Sequence, residues 1–418
     1  MKNLFLTMLA VCALTFQSCS NDDETTTVVE APADKVVTGS ITANTTWTAD
    51  RIWIIDKKVV VGPGVTLTIE PGTIIKGTFG TGANCSALII ARGGKINAVG
   101  TADKPIIFTA TADNIKVGEK SGTNLSGTDN SLWGGLLILG KAKCSLAGDV
   151  AELQIEGIPA TDTFGLYGGS DDADNSGTLS YVSIRHGGAE IGAGNEINGL
   201  TLGGVGSGTT INNVEVFATF DDGIEYFGGK VSTSNVIVYG FGDDGLDIDQ
   251  SYSGTISNGM VIKAAIADSG LEIDGPEGSF NASFTLDKIT LKGNSANTNR
   301  IADYRAGARG TFENIYFFNF PNPATSGGRG DLSLSGEVDA NGNPIGNKSL
   351  DNFTNGILVF NKLEVTSPAG VALTSIFRNG THVHATDVAL HANTIGATKS
   401  AFAGWSWAAA SGNLDALK

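Results

Sequence analysis

The sequence predicts an all-β chain wound as one right-handed parallel β-helix, and three observations predict it. Short alternating apolar runs end at Gly-Pro or Pro-Gly turns, related strings return every 22 to 25 residues, and helical periodicity is absent.

The turns are plainest in residues 59–77. Val59-Val60-Val61 stops at Gly62-Pro63-Gly64, Val65-Thr66-Leu67-Thr68-Ile69 stops before Pro71-Gly72, and Ile74-Ile75-Lys76 stops at Gly77. Alternation marks a strand with one buried face, and the Pro-Gly pairs mark sharp turns. Ala87-Leu88-Ile89-Ile90 before Gly93-Gly94, Pro105-Ile106-Ile107-Phe108-Thr109, and Leu136-Leu137-Ile138-Leu139 continue the same grammar.

The repeat is open in the centre. Asn213-Val214-Glu215-Val216-Phe217 returns as Asn235-Val236-Ile237-Val238-Tyr239, and Asp222-Gly223-Ile224-Glu225 returns as Asp244-Gly245-Leu246-Asp247 and Ser269-Gly270-Leu271-Glu272. Units of this length made only of short strands and glycine turns stack as coils, each touching its neighbours, so a chain of 418 residues can remain one domain. Val214, Val236 and Met260 are expected to stack inside, as are Ile224, Leu246 and Leu271.

The N-terminus has a different character. Lys2 and the apolar run Leu4–Phe16 form a signal peptide over residues 1–18, since the run is too short for the roughly 20 residues of a membrane span. Phe16-Gln17-Ser18-Cys19 resembles a bacterial lipobox, which makes Cys19 the acylated residue, with Phe16 where Leu is commoner. Ser20-Asn21-Asp22-Asp23-Glu24 resembles the acidic signal that exports lipoproteins of Bacteroidota to the outer face of the outer membrane. Residues 19–45 read as an acylated end and flexible tether, and residues 46–418 as the β-helix, with a capping region from about residue 380 in which Phe402, Trp405 and Trp407 close the coil.

Composition narrows the partners. There are 57 glycines, charged residues make up only 17%, and the formal net charge is −16, or −17 once Lys2 is lost. A strongly anionic body argues against nucleic acid and anionic lipid, and favours cations or neutral ligands. Cys85 and Cys144 remain besides Cys19 after processing, and an exported chain can pair them as a disulfide or bury them separately.

The candidate chemistry lies on an acidic ladder. With Ile224, Leu246 and Leu271 inward, Glu225, Asp247 and Glu272 should face solvent, with Asp249 and Asp274 two residues on and Asp222 and Asp244 at the turns. Coils roughly 4.8 Å apart crowd these carboxylates, so calcium, which takes six to eight oxygen ligands, is the natural neutraliser. The alternative is a hydrated face whose Asp side chains cap turns. Phe217 and Tyr239, with Lys263 next in line, are candidate rings for stacking on a sugar; equally, such aromatic ladders stabilise coils without a ligand.

A polysaccharide-cleaving reading would use the same ladder, whose adjacent coils suit retaining and whose alternate coils suit inverting geometry. Its required order of Asp, His and Arg-x-Lys is missing: Arg185-His186 precedes Asp243-Asp244, and only Arg185, Lys230 and Lys263 could act as a base. His382, His384 and His391 form no persuasive zinc spacing, and Arg329-Gly330-Asp331 reads as loop.

Thr46-Trp47-Thr48, Gly64–Gly77, Gly100–Thr109, Trp133-Gly134-Gly135, Ile197–Thr209, Asp221–Gly229 and Asp243–Asp247 together resemble a family of β-helical lipoproteins of Bacteroidota and marine bacteria. The likeness runs from about Thr46 to Gly278. It implies a fold of the pectin-lyase-like superfamily and carries no established reaction. The expectation is a noncatalytic surface lipoprotein that binds glycan or a partner protein through an acidic face organised by calcium. The alternatives are a polysaccharide-active enzyme and a structural accessory of an outer-membrane transporter or adhesion assembly.

Overall fold

A computed structural model describes residues 32–418 except 193–194, 264–266, 297–299, 326–328, 335–336, 339–343, 347, 413 and 415–418. Cys19 and the expected signal peptide lie outside the described residues. From Ala33 onward the chain is one compact unit, and 23 strands join a single hydrogen-bonded array of parallel pairs. This is the predicted parallel β-helix. Its first strand, Lys35–Ile41, pairs with Ile52–Val61 and lies within the stretch expected to be tether.

Each coil has three sides because its long strand bends once. Tyr181, Asn213, Asn235, Asn258, Lys288, Asn314 and Lys362 occupy the same place in successive strands, all with φ between 49° and 57°. Asparagine is suited to this left-handed conformation, and its amide can bond the neighbouring coil. Asn258 donates to Asn235 at 2.6 Å and Asn235 to Asn213 at 3.4 Å. The bend splits strands such as Thr210–Phe217 and Thr233–Tyr239 between a first and a second sheet. A third sheet stacks Leu200–Gly203, Ile224–Phe227, Leu246–Asp249 and Ser269–Ile273.

The interior is a continuous apolar column. Leu200, Ile224, Leu246 and Leu271 are in register and fully buried, as expected. The second expected column needs correction: Val236 pairs with Gly259, whereas Met260 pairs with Ile237 and faces outward. The bend at Asn258 sets the register, so the residue directly after it enters the core; Ile289, whose Cδ1 would meet a Cβ on Gly259 at 2.8 Å, fills the gap.

The Asp-Gly repeat is explained by packing rather than by turn conformation. A Cβ on Gly199, Gly223 or Gly245 would lie 2.2–2.4 Å from a valine methyl, belonging to Val216, Val238 and Val261 in turn. None of these three glycines has positive φ. The repeated glycine is therefore a recess that receives a core valine.

The outer faces of the third and second sheets are covered. Residues 144–167, with Ile155, Ile158 and Tyr167, pack outside the third sheet. The C-terminal segment does not close the end of the coil as expected. It runs along the second sheet, where Phe402, Trp405 and Ala408 bury Phe217, Ile237, Met260 and Tyr316. The reason is local: the outward residues of that sheet are themselves apolar, and the segment is what removes them from water.

Candidate functional site

The acidic ladder is real in register and wrong in exposure. Thr201, Glu225, Asp247, Glu272 and Asp303 stand opposite one another on successive coils of the third sheet. Yet Glu225 is 5% exposed and Asp247 8%, not solvent-facing. Strand alternation says only that a side chain leaves the coil interior; here it enters a second, polar layer beneath Asn198 and the covering loops.

The structure divides the seven predicted carboxylates. At the lower end, Arg305 pairs with Glu272 and, at 3.0 Å, with Asp274, while Arg300 pairs with Asp303. At the turns, Asp222 accepts the Asp244 N–H at 2.8 Å and Asp244 accepts the Ser269 N–H; these side chains stitch one coil to the next. Asp249 lies by Asp274 and Glu277, and burial, followed by those two charges, pushes its pKa up to about 8.

The remaining group forms a candidate cation site. Asp222, Glu225 and Asp247 each bring an oxygen within 4.8 Å of the other two, and all three are buried. A second trio, Asp221, Asp222 and Asp243, shares Asp222 and leads outward to exposed Asp243. Burial first, and neighbouring carboxylates second, raise the pKa of Asp222, Glu225 and Asp247 well above the ordinary range. The same causes push Asp221 to about 7 and Asp244 to about 6. At an effective dielectric of about 20, two charges at this spacing repel by on the order of 3 kcal/mol.

The donors fit a hard cation. Asp247 Oδ1 and Asn198 Oδ1 are buried without a hydrogen-bond partner, while the Asn198 amide donates to Glu225. An unpartnered buried oxygen carries its full desolvation cost. Three convergent carboxylates are ligand chemistry that calcium takes.

Of the predicted aromatic pair, Phe217 is not available to a sugar, while Tyr239 is partly exposed. Phe217 stacks on Tyr239 with ring centroids 4.8 Å apart and planes at 11°, but Trp407 lies over Phe217, which is 1% exposed. Ile262, not Lys263, continues that column; Lys263 is buried and donates to the Asp268 and Arg300 carbonyls. The exposed ring near the acidic site is Phe220, 47% exposed, which directly precedes Asp221 and packs its carbonyl against Gly242, next to Asp243. Sequence reading passed over Phe220 because it stands in a turn; the adjacent Asp221-Asp222 pair was the available signal.

Cys85 and Cys144 are separate free thiols, both buried, so the disulfide is not formed. Cys85 lies by Gly134 and Cys144 by Gly228, on different coils. Arg185 is buried, donating to Ser183 and the Lys120 carbonyl. Lys230 pairs with Asp172. Arg329 pairs with Asp268 and Asp331 with Arg378, so that tripeptide is bound into the body.

The family model described as a pectate-lyase like beta helix domain matches residues 39–355, and the chain belongs to that family, within the pectin-lyase-like superfamily. No curated protein and no solved structure matches the chain.

Proposed function

We propose that this pectate-lyase-like β-helix protein is a noncatalytic outer-membrane surface lipoprotein, anchored through Cys19, that binds glycan beside a calcium ion held by Asp222, Glu225 and Asp247. The observation that carries the reading is Asp247: its Oδ1 is buried, unpartnered and grouped with two further carboxylates. Asn198 braces the site by donating its amide N–H to Glu225. Asp221 and Asp243 form an acidic rim, and Phe220 offers an exposed ring on which a pyranose can stack. The family match fits a carbohydrate-related protein.

Binding without cleavage is favoured by the basic groups. Lyase chemistry needs a free base near the cation, whereas Lys263 is tied to two carbonyls, Arg185 is held on another side of the coil and Lys230 is ion-paired. Hydrolysis needs carboxylates on either side of a substrate, whereas Asp222, Glu225 and Asp247 converge on one another.

A glycan array with the chelated and the calcium-loaded chain tests the reading, alongside Phe220→Ala. Calcium-dependent signal, lost in the variant, supports it. Release of new reducing or unsaturated ends would replace it with an enzyme. A silent array in calcium would turn the site toward a protein partner.

A further inference from the structure

Lys292 interrupts an apolar column on the outside of the second sheet. Phe217, Tyr239, Ile262, Lys292 and Phe318 stand opposite one another on successive coils, and the other four are aromatic or aliphatic. A half-buried amine between Ile262 and Phe318 gives up part of its hydration to both neighbours. Among the described residues its ammonium makes no hydrogen bond and no ion pair. Burial lowers its pKa, and no neighbouring charge contributes to the shift.

A cavity opens beside this lysine. It encloses about 510 Å³ where the C-terminal segment starts along the coil, and is lined by Lys292, Phe318, Phe320, Ser367, Leu390 and His391 among others. That volume suits a small organic molecule. Phe318 and Phe320 supply two largely buried rings, and Leu390, 52% exposed, an apolar edge. Ser367 supplies a second polar group: its Oγ is buried without a hydrogen-bond partner, while its N–H donates to Asp387 at 3.0 Å. The other polar groups nearby are engaged, the Thr366 hydroxyl with Tyr316 and the Asn319 amide with the Gly293 carbonyl. No carboxylate lines the cavity. Lys292 and Ser367 are thus donors awaiting an acceptor, and a group reaching both would relieve their desolvation.

We propose that this cavity binds a small aromatic monocarboxylate, its acid group meeting Lys292 and Ser367 and its ring lying against Phe318 and Phe320. A carboxylate is the acceptor that matches an ammonium beside a hydroxyl, and phenyl walls reward an aromatic body in offset or edge contact. The cavity lies on the second sheet and the acidic site on the third, so each can fail without the other.

Calorimetry of the full chain with phenylacetate, its neutral amide phenylacetamide and the sugar acid glucuronate tests this. Phenylacetate should bind at least tenfold more tightly than either of the others. Lys292→Met should erase that preference while raising the Tm, because the column is otherwise apolar and the unpaired amine is costly there; loss of folding cannot produce both results. Ser367→Ala should weaken phenylacetate severalfold. Equal affinity for acid and amide, glucuronate binding as tightly as phenylacetate, no binding by the parent chain, or an affinity for phenylacetate unchanged in either variant would overturn the proposal.

Discussion

Glu225 and Asp247 stand opposite each other on adjacent coils, both buried, and among the described residues neither forms an ion pair. One coil further on, Glu272 in the same column is paired with Arg305. The ladder thus changes from ion-paired to unpaired within one repeat, and that change marks the candidate cation site.

Stability without metal should fall with rising pH. Carboxylates whose pKa is raised by folding bind more protons folded than unfolded from about pH 4 up to their folded values. Their contribution is complete below about pH 4 and is lost as pH climbs through the folded values, about 6 for Asp244 and about 8 for Asp249. Thermal unfolding in chelator should therefore give a Tm that decreases from pH 5 to pH 8, with a calcium-induced gain that grows over the same window. A metal-free Tm that rises across it would show that folding does not raise the pKa of these carboxyls.

Gly245→Ala should destabilise the coil by about 1–3 kcal/mol, the range for overpacking a core. The new methyl would meet Val261 at 2.4 Å and the Gly270 carbonyl at 2.6 Å. Urea denaturation checks this. A change within experimental error would show that the glycine serves only its turn.

Glu215 ties the C-terminal segment to the coil. Its two oxygens accept the N–H groups of Trp407 and Ala408, both at 2.8 Å, and Ser183 donates to the same carboxylate. Arg185, fully buried, lies close by. Glu215→Ala leaves a buried guanidinium with one fewer counter-charge, so a loss of about 3 kcal/mol is expected. Tryptophan emission should shift to the red and residues 388–414 should become protease-sensitive before the rest. Cleavage spread evenly along the chain would argue against this anchoring.

The two body cysteines should alkylate without prior reduction, and only after unfolding. Burial pushes the Cys85 thiol up to about 11 and Cys144 up to about 12, so native reactivity is suppressed. Peptide mapping after iodoacetamide in denaturant should find both modified. A disulfide-linked peptide pair would refute the separation of the two thiols.

Fold and register were largely legible in the residues. The returning Asp-Gly strings placed Ile224, Leu246 and Leu271 in one column, because a period-two pattern with a fixed repeat length has few ways to stack. Exposure was not legible. Glu225, Asp247 and Phe217 do leave the coil, but burial comes from sequence outside their own strand: Asn198 lies on Glu225 and Trp407 on Phe217. Met260 was misplaced because the coil from Asn235 to Asn258 is one residue longer than the one before it, and the residue after the bend asparagine is there a glycine, which does not read as core. The two cysteines left a disulfide and two buried thiols equally open, because their number says nothing of their placement on different coils.

Calcium titration of the chelator-treated chain by calorimetry tests the central claim most directly, with Asp247→Asn and Glu272→Gln as paired variants. The account predicts one saturable site in the parent chain, abolished by Asp247→Asn and kept by Glu272→Gln, whose Arg305 partner already neutralises that position. No binding in the parent, or equal loss in both variants, would contradict it.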